Sequence, residues 1–292
     1  MPEVLVLSGK GGTGKTTVAG SLIALVAAKA YADCDVDAPN LKLIVGSFAK
    51  EYDETSFGMG KAVIDGALCT KCGKCREVCR FDAIVEGNPY RVDGMACEGC
   101  TYCAHVCPVG AVSMRPSVTG TCQLFIRGDE RFSTAELALG SGNTGKLVTE
   151  VKRHLKERAP KGKGLVILDG SPGIGCPVIA SLSGVDFVLM VAEPSISGIS
   201  DLKRVVADAS QMRVPMAIVI NKQDVNIRMS ARIEAFCQAE RIPFLGAVPY
   251  DATAVEAANC GRTLVSYDCP AATAIRTICK RMIQLLEEME RQ

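Results

Sequence analysis

Three short stretches of this 292-residue chain combine residue types and spacings that do chemistry. Residues 9–17 read GKGGTGKTT. Gly9, Gly14, Lys15 and Thr16 fit the pattern G-x-x-x-x-G-K-[ST], in which glycines let backbone N–H groups converge on phosphate oxygens. Lys15 is set to reach the β- and γ-phosphates of ATP, and the Thr16 hydroxyl to ligate Mg²⁺. Gly11, Gly12, Thr13 and Thr17 complete the nucleotide loop. The other two stretches, CTKCGKCREVC and CEGCTYCAHVC, place cysteines at 69, 72, 75 and 79 and again at 97, 100, 103 and 107. Thiolates in such runs ligate iron–sulfur clusters.

The elements around the first stretch support it. EVLVLS (3–8) is a short apolar run that leads into the glycines, and TTVAGSLIALVAAKA (16–30) is rich in helix formers. A strand, a glycine loop and a helix in succession aim the helix N-terminus at the phosphates. Further strands are predicted near 165–169, 187–191, 216–220 and 244–247, with a helix over about Lys146–Arg158 and others between the strands. Short apolar strands alternating with helices give an α/β fold, a mostly parallel sheet covered on both faces. Apolar residues make up 48% of the chain, enough for such a core.

The two cysteine runs have identical spacing, C-x₂-C-x₂-C-x₃-C, and form an internal repeat resembling the bacterial two-cluster ferredoxin pattern. In that pattern the fourth cysteine of each run ligates the other run's cluster. Cys69, Cys72, Cys75 and Cys107 are therefore assigned to one [4Fe–4S] cluster, and Cys97, Cys100, Cys103 and Cys79 to the other. Zinc sites use cysteines in pairs, which two unbroken runs of four fit badly. Arg80 stands where Pro108 follows the second run. His105, between ligands, reads as a surface or packing residue, and His154 suggests no role. The remaining seven cysteines read mostly as small buried residues.

Lys10, a second lysine early in the loop, resembles the deviant Walker motif of the MinD/ParA family (SIMIBI class), which includes the nitrogenase iron protein and iron–sulfur carrier ATPases. In that family this lysine crosses a dimer interface to the partner's nucleotide, so the resemblance implies an ATP-sandwich homodimer that hydrolyses ATP. DCDVDAPNL (33–41) resembles the family's switch I, and the resemblance implies a water-positioning carboxylate at Asp35, with Asp33 the second choice. Asp37 is expected to cap the following turn. LVILDGSPGIG (165–175) is similar to its Walker B segment. Asp169 would then hold Mg²⁺ through water, and the Gly173 N–H would sense the γ-phosphate. Ser171 occupies a position where relatives often have proline. Asn221, ending MAIVINKQD, resembles the base-reading residue, and VPYD (248–251) the last base-side loop. KAYADCD is a poor strand, so the second strand is expected to be stunted or shifted.

The cysteine repeat falls just after the switch I segment. The organisation expected is therefore a discontinuous P-loop ATPase domain, 1–60 and 120–292, with an inserted ferredoxin-like domain at 61–119. Residues 120–145, polar and Gly-rich, are expected to return the chain to the core. The whole resembles P-loop ATPases with an inserted ferredoxin domain, including GNTGKLVTEV (142–151), GSPGIGCPVIASL (170–182) and EPSISGISDLKR (193–204).

A net charge of +1 provides no general field toward nucleic acid or an acidic membrane. The C-terminal helix ends acidic and lacks the basic polar face of a membrane-surface helix. No export signal is recognised, so the expected location is cytoplasmic. The expected partners are a second copy of the chain and an unidentified redox or iron–sulfur client. The favoured function is ATP-gated electron transfer. Its alternatives are an ATP-dependent iron–sulfur carrier or assembly factor, and a positioning ATPase with structural clusters. The C-x-x-C of scaffold-type relatives is missing, because Cys269 and Cys279 lie too far apart.

Overall fold

A computed structural model describes residues 1–142, 144–160, 162 and 164–291. Asn143, within the 142–151 stretch singled out above, lies outside them. The chain opens on β1 (Glu3–Leu7), buried from Val4 onward. Val4 and Val6 enter one hydrophobic cluster, Leu5 and Leu7 the other. That is the alternation of a strand buried on both faces. The glycine loop follows, then α1 (Lys15–Leu25), β2 (Ala30–Asp33), α2 (Lys42–Val45) and β3 (Ala49–Phe57).

Smaller elements come next: β4 (Lys61–Ile64), α3 (Lys74–Glu77), β5 (Ile84–Val85), β6 (Arg91–Val92), α4 (Tyr102–His105) and β7 (Val112–Arg115). The chain returns through β8 (Val118–Arg127) and β9 (Glu130–Leu137) to α5 (Thr144–Arg158), β10 (Val166–Asp169) and α6 (Cys176–Leu182). It then runs through β11 (Phe187–Ala192), α7 (Ile196–Gln211), β12 (Met216–Asn221), α8 (Ile227–Glu240) and β13 (Phe244–Val248). Last come α9 (Thr253–Asn259), a 3₁₀ turn at Leu264–Ser266 and α10 (Pro270–Glu290).

The large strands form one sheet in the order β13-β12-β11-β1-β10-β2-β9-β8-β3. It is parallel from β13 through β9, and β8 runs antiparallel to both β9 and β3. Helices α1 and α10 cover one face, and α5, α6, α7 and α8 the other. The apolar stripe of α10 (Ile275, Ile278, Cys279, Met282) is core packing. β2 is stunted, as its sequence suggests, but its four residues are fully buried between β10 and β9.

Residues 120–145 depart from expectation. They are not a simple polar return, because β8 and β9 form a hairpin that widens the sheet. Its two-residue turn is Gly128–Asp129, with Gly128 at φ +58°, the glycine-first turn that suits a hairpin's twist. Phe125 and Phe132 drive the hairpin into one core cluster, Cys122 and Ala135 into the other. β3 forms the sheet edge, guarded by Lys50, Glu51, Asp53 and Glu54. On α5, His154 is buried and its Nε2 lies 3.0 Å from Glu54 Oε2 of β3, a tie the sequence did not signal.

The smaller elements repeat with a 28-residue offset (Cys69 to Cys97). β4 pairs with β7 and β5 with β6, both antiparallel. The Cys69 N–H donates to Asp65 O and the Cys97 N–H to Asp93 O, each at 3.0 Å. The Ala83 N–H donates to Cys79 Sγ at 3.4 Å and the Ala111 N–H to Cys107 Sγ at 3.2 Å. Left-handed residues recur in pairs: Lys71 with Gly99, Gly73 with Thr101, Asp82 with Gly110. The unit has its own small core, including Ala62, Ile84 and Val112.

Candidate nucleotide site and cysteine-lined pockets

The glycine loop links β1 to α1 at the C-terminal edge of the parallel strands, where ligands of open α/β sheets bind. Gly14 sits at φ +88°, and a Cβ there would stand 2.2 Å from Asn221 Nδ2. The loop backbone and Asn221 can approach this closely only with glycine between them. Two hollows flank the loop. One, of about 260 Å³, is lined by Ser8, the loop from Lys10 to Thr17, Asp35, Asn40 and Pro172. The other, of about 330 Å³, lies across Gly12 and Gly14 among Asn221, Lys222 and the Val248–Asp251 segment.

Lys15 is buried, and its Nζ lies 2.6 Å from Asp169 Oδ1 and 3.9 Å from Asp35 Oδ2. Burial pulls its pKa down, but the charges of Asp169, Asp33 and Asp35 outweigh it and hold the ammonium above its ordinary value. Asp169 Oδ2 is buried without a hydrogen-bond partner among the described residues. An orphaned carboxylate oxygen beside the lysine of a glycine loop fits the water shell of Mg²⁺. Thr16, in the first turn of α1, lines the same hollow.

The 33–41 segment behaves differently from the expectation. Asp33, fully buried, caps the turn: it accepts from Asp35 N (3.0 Å), Asn40 N (2.8 Å) and Leu41 N (2.8 Å). Burial and the Asp169 charge push it up to about 7 against these bonds. Asp37 is exposed and makes no side-chain hydrogen bond among the described residues. Capping thus falls to Asp33, whose oxygens are taken, and Asp35 is the carboxylate facing the hollow. Burial raises the Asp35 pKa, with Lys15 opposing.

Two further expectations meet occupied groups. The Gly173 N–H donates to Ser8 O at 3.1 Å, so it is not directed at a phosphate in this structure. Lys10 does not reach outward: its Nζ is 2.6 Å from Glu193 Oε2 and 3.1 Å from Ser195 Oγ. Asn221 donates from Nδ2 to Thr13 O at 2.7 Å. It pins the loop and keeps one N–H and its carbonyl oxygen for the second hollow.

Several residues escaped the sequence reading. Glu193 gathers Lys10 and also Lys222, whose Nζ donates to Gly12 O at 2.9 Å. The two lysines outweigh burial and hold the Glu193 carboxyl below its ordinary value. Ser171 donates to Cys34 O at 2.6 Å, tying the segment after Asp169 to the 33–41 segment. Glu193 lies in EPSISGISDLKR, a stretch noted only by resemblance. Its role depends on strand register, which no local pattern displays.

The eight clustered cysteines line two pockets. Cys69, Cys72, Cys75 and Cys107 line one, and Cys79, Cys97, Cys100 and Cys103 the other. The fourth cysteine of each run faces the pocket of the other run. Burial raises the Cys75 and Cys103 thiols, while at Cys107 the backbone N–H groups of residues 109–112 outweigh burial and lower it. Among the described residues no three His, Cys, Asp or Glu side chains converge on one ion. Four thiolates sharing a zinc would stand about 3.8 Å apart, given Zn–S near 2.3 Å. A cubane instead takes four thiolates, one on each iron, and each pocket is lined by four cysteines, a donor set of that kind.

This unit also touches the core. A methyl built on Gly142 would lie 3.7 Å from Glu98 Oε2, and one on Gly140 would lie 3.5 Å from Met95 Cγ. Gly145, at the start of α5, packs against Cys176 at the start of α6, directly after the 169–175 segment.

Comparison with known proteins agrees with the nucleotide site. The description "CobQ/CobB/MinD/ParA nucleotide binding domain" matches residues 4–264, and the chain belongs to this family of P-loop nucleotide-binding proteins. An uncharacterized protein of Methanocaldococcus jannaschii is 33% identical, covering 77% of this chain and 79% of its own length. An iron-sulfur cluster carrier protein of Pyrococcus abyssi is 24% identical over 99% of this chain and 88% of its own. Among solved structures, the cell division ATPase MinD of Pyrococcus furiosus superposes with a TM-score of 0.59 at 18% identity. That match covers 98% of this chain and all of the other, a likeness of fold.

Among the described residues no helix is long and apolar enough to cross a membrane.

Proposed function

We propose that this chain is an ATP-hydrolysing iron–sulfur protein in which the nucleotide state of a homodimer gates electron transfer through two [4Fe–4S] clusters. The observation carrying the proposal is the pair of four-cysteine pockets on a duplicated scaffold, in a unit whose flanking strands β3 and β8 belong to the nucleotide-binding sheet. On this reading residues 61–119 are a bacterial ferredoxin-like domain inserted into an ATPase domain formed by 1–60 and 120–292. The eight cysteines hold the clusters, which supply one-electron redox chemistry when bound.

ATP binding sets the chain's own residues in motion. Lys15 Nζ exchanges Asp169 for β- and γ-phosphate oxygens, joined by the loop amides of Gly9 to Thr17. Thr16 and Asp169 would hold Mg²⁺, which would offset phosphate charge. Asp35 accepts a hydrogen bond from the attacking water. The Gly173 N–H leaves Ser8 O for the γ-phosphate, and Lys10 leaves Glu193 for the partner's nucleotide. The 169–175 segment moves with Gly173, and α6 and α5, whose Lys146 donates to Phe57 O at the end of β3, carry that movement toward the cysteine unit.

A second reading, an iron–sulfur carrier, has the support of a relative named for that role that aligns over nearly the whole chain. Anaerobic purification with iron and sulfide analysis tests the reading: about eight iron per chain, tightly held with or without ATP, is expected for two four-iron clusters. Iron released to a chelator on ATP addition would favour the carrier. No iron binding at all would sink both.

A further inference from the structure

The two cysteine pockets differ in the charges at their mouths. Lys71 and Lys74 are the charged residues lining the pocket of Cys69, Cys72, Cys75 and Cys107, and both are exposed. Glu98 is the charged residue lining the other pocket. Exposed Cys72 lies between the two lysines in sequence, and exposed Leu68 (53%) and Val109 (42%) stand nearby. Lys71 is held at φ +60° beside left-handed Gly73, which fixes where this short loop presents its side chains. Of the neighbouring charges, Arg76 is engaged by Glu86, and Glu77 Oε1 lies 4.0 Å from a methyl built on Gly73, inside the same loop. Glu98 itself faces Gly142, in the segment that follows β9. One pocket is thus basic at its mouth and the other acidic, and both open to solvent, at exposed Cys72 and at exposed Cys100.

We infer that the Lys71–Cys72–Lys74 face is the docking surface for a small acidic one-electron carrier protein, which delivers its electron to the cluster of the Cys69 pocket. This rests on the iron–sulfur reading above. Lys71 and Lys74 at the pocket mouth, with exposed Val109 lining it, have the composition of a transient redox interface, where charge steers encounter and little area is buried. The step is a one-electron exchange: the carrier is oxidised by one electron and the cluster is reduced by one, with no bond made or broken.

The test uses the full chain under anaerobic conditions, with plant-type [2Fe–2S] ferredoxin as the acidic probe. The dissociation constant of the oxidised probe is measured by calorimetry at about 20 mM and about 300 mM salt, which brackets strong and weak screening. Wild type is expected to lose about tenfold in affinity across that range, and Lys71→Glu/Lys74→Glu about tenfold or more at low salt. A charge-matched control far from the pocket, Arg228→Glu/Lys280→Glu, should bind as wild type does. Salt-independent binding, wild-type affinity in the Lys71/Lys74 variant, or equal loss in the control would overturn the inference. Iron is counted in every sample, so binding that persists without iron would fail the iron–sulfur reading while keeping the docking surface.

Discussion

Replacing Lys15 by methionine keeps most of the side-chain volume and removes its charge. Lys15 Nζ sits 2.6 Å from Asp169 Oδ1, and both Asp169 and the neighbouring Asp33 are fully buried. Deleting one partner of a buried pair costs about 3–5 kcal/mol, because the other charge is left uncompensated. Protonation is the chain's relief. Asp33 is already raised from 3.8 to about 7 by burial and Asp169, with Lys15 opposing, so without Lys15 it titrates higher. Between its unfolded and folded pKa values such a carboxyl binds a proton in the folded chain that the unfolded chain has released. Stability therefore falls as pH rises through that window. In wild type the fall due to Asp33 ends near pH 7. In Lys15→Met it continues above, at about 1.4 kcal/mol per pH unit. Urea unfolding of both proteins, followed by far-ultraviolet circular dichroism without nucleotide, reads the difference. The variant's deficit should be about 1 kcal/mol or more larger at pH 8 than at pH 6. A deficit equal or smaller at pH 8, or a variant as stable as wild type, would refute the argument.

Other substitutions separate the parts of the site. Gly14→Ala sets a Cβ 2.2 Å from Asn221 Nδ2 at φ +88°; nucleotide affinity by fluorescent-analogue titration should fall at least about tenfold, from the strained backbone and the lost Asn221–Thr13 bond. Lys10→Ala should bind ATP normally yet neither dimerise nor hydrolyse it, read by light scattering and phosphate release; wild-type turnover would remove the role across the dimer. Cys79→Ala should perturb the electron paramagnetic resonance signal of the Cys97–Cys103 cluster and spare that of the Cys69–Cys75 cluster. The opposite pattern would mean that each run serves its own pocket alone.

Local pattern made the nucleotide loop legible, because its chemistry requires adjacent residues: glycines for close approach, then lysine and threonine at the helix start. The cysteine runs were legible for the same reason, and their regular spacing showed the duplication. The β8–β9 hairpin was hidden because residues 120–145 read as polar and Gly-rich, while its apolar anchors Phe125 and Phe132 are few. The roles of the 33–41 acids were also hidden. Asp33, Asp35 and Asp37 are alike in sequence, and only the turn at Asn40–Leu41 shows which one caps and which faces the hollow. Glu193 escaped because its partners Lys10 and Lys222 follow the neighbouring strands β1 and β12, which are far from it in sequence.

The central claim is that nucleotide state and cluster state are coupled, and coupling between two sites is reciprocal. The most direct test is anaerobic redox titration of the loaded protein, first with Mg-ADP and then with a non-hydrolysable ATP analogue. The account predicts a midpoint shift of about 60 mV between the two, a tenfold coupling for a one-electron couple. Identical midpoints in both states would contradict it.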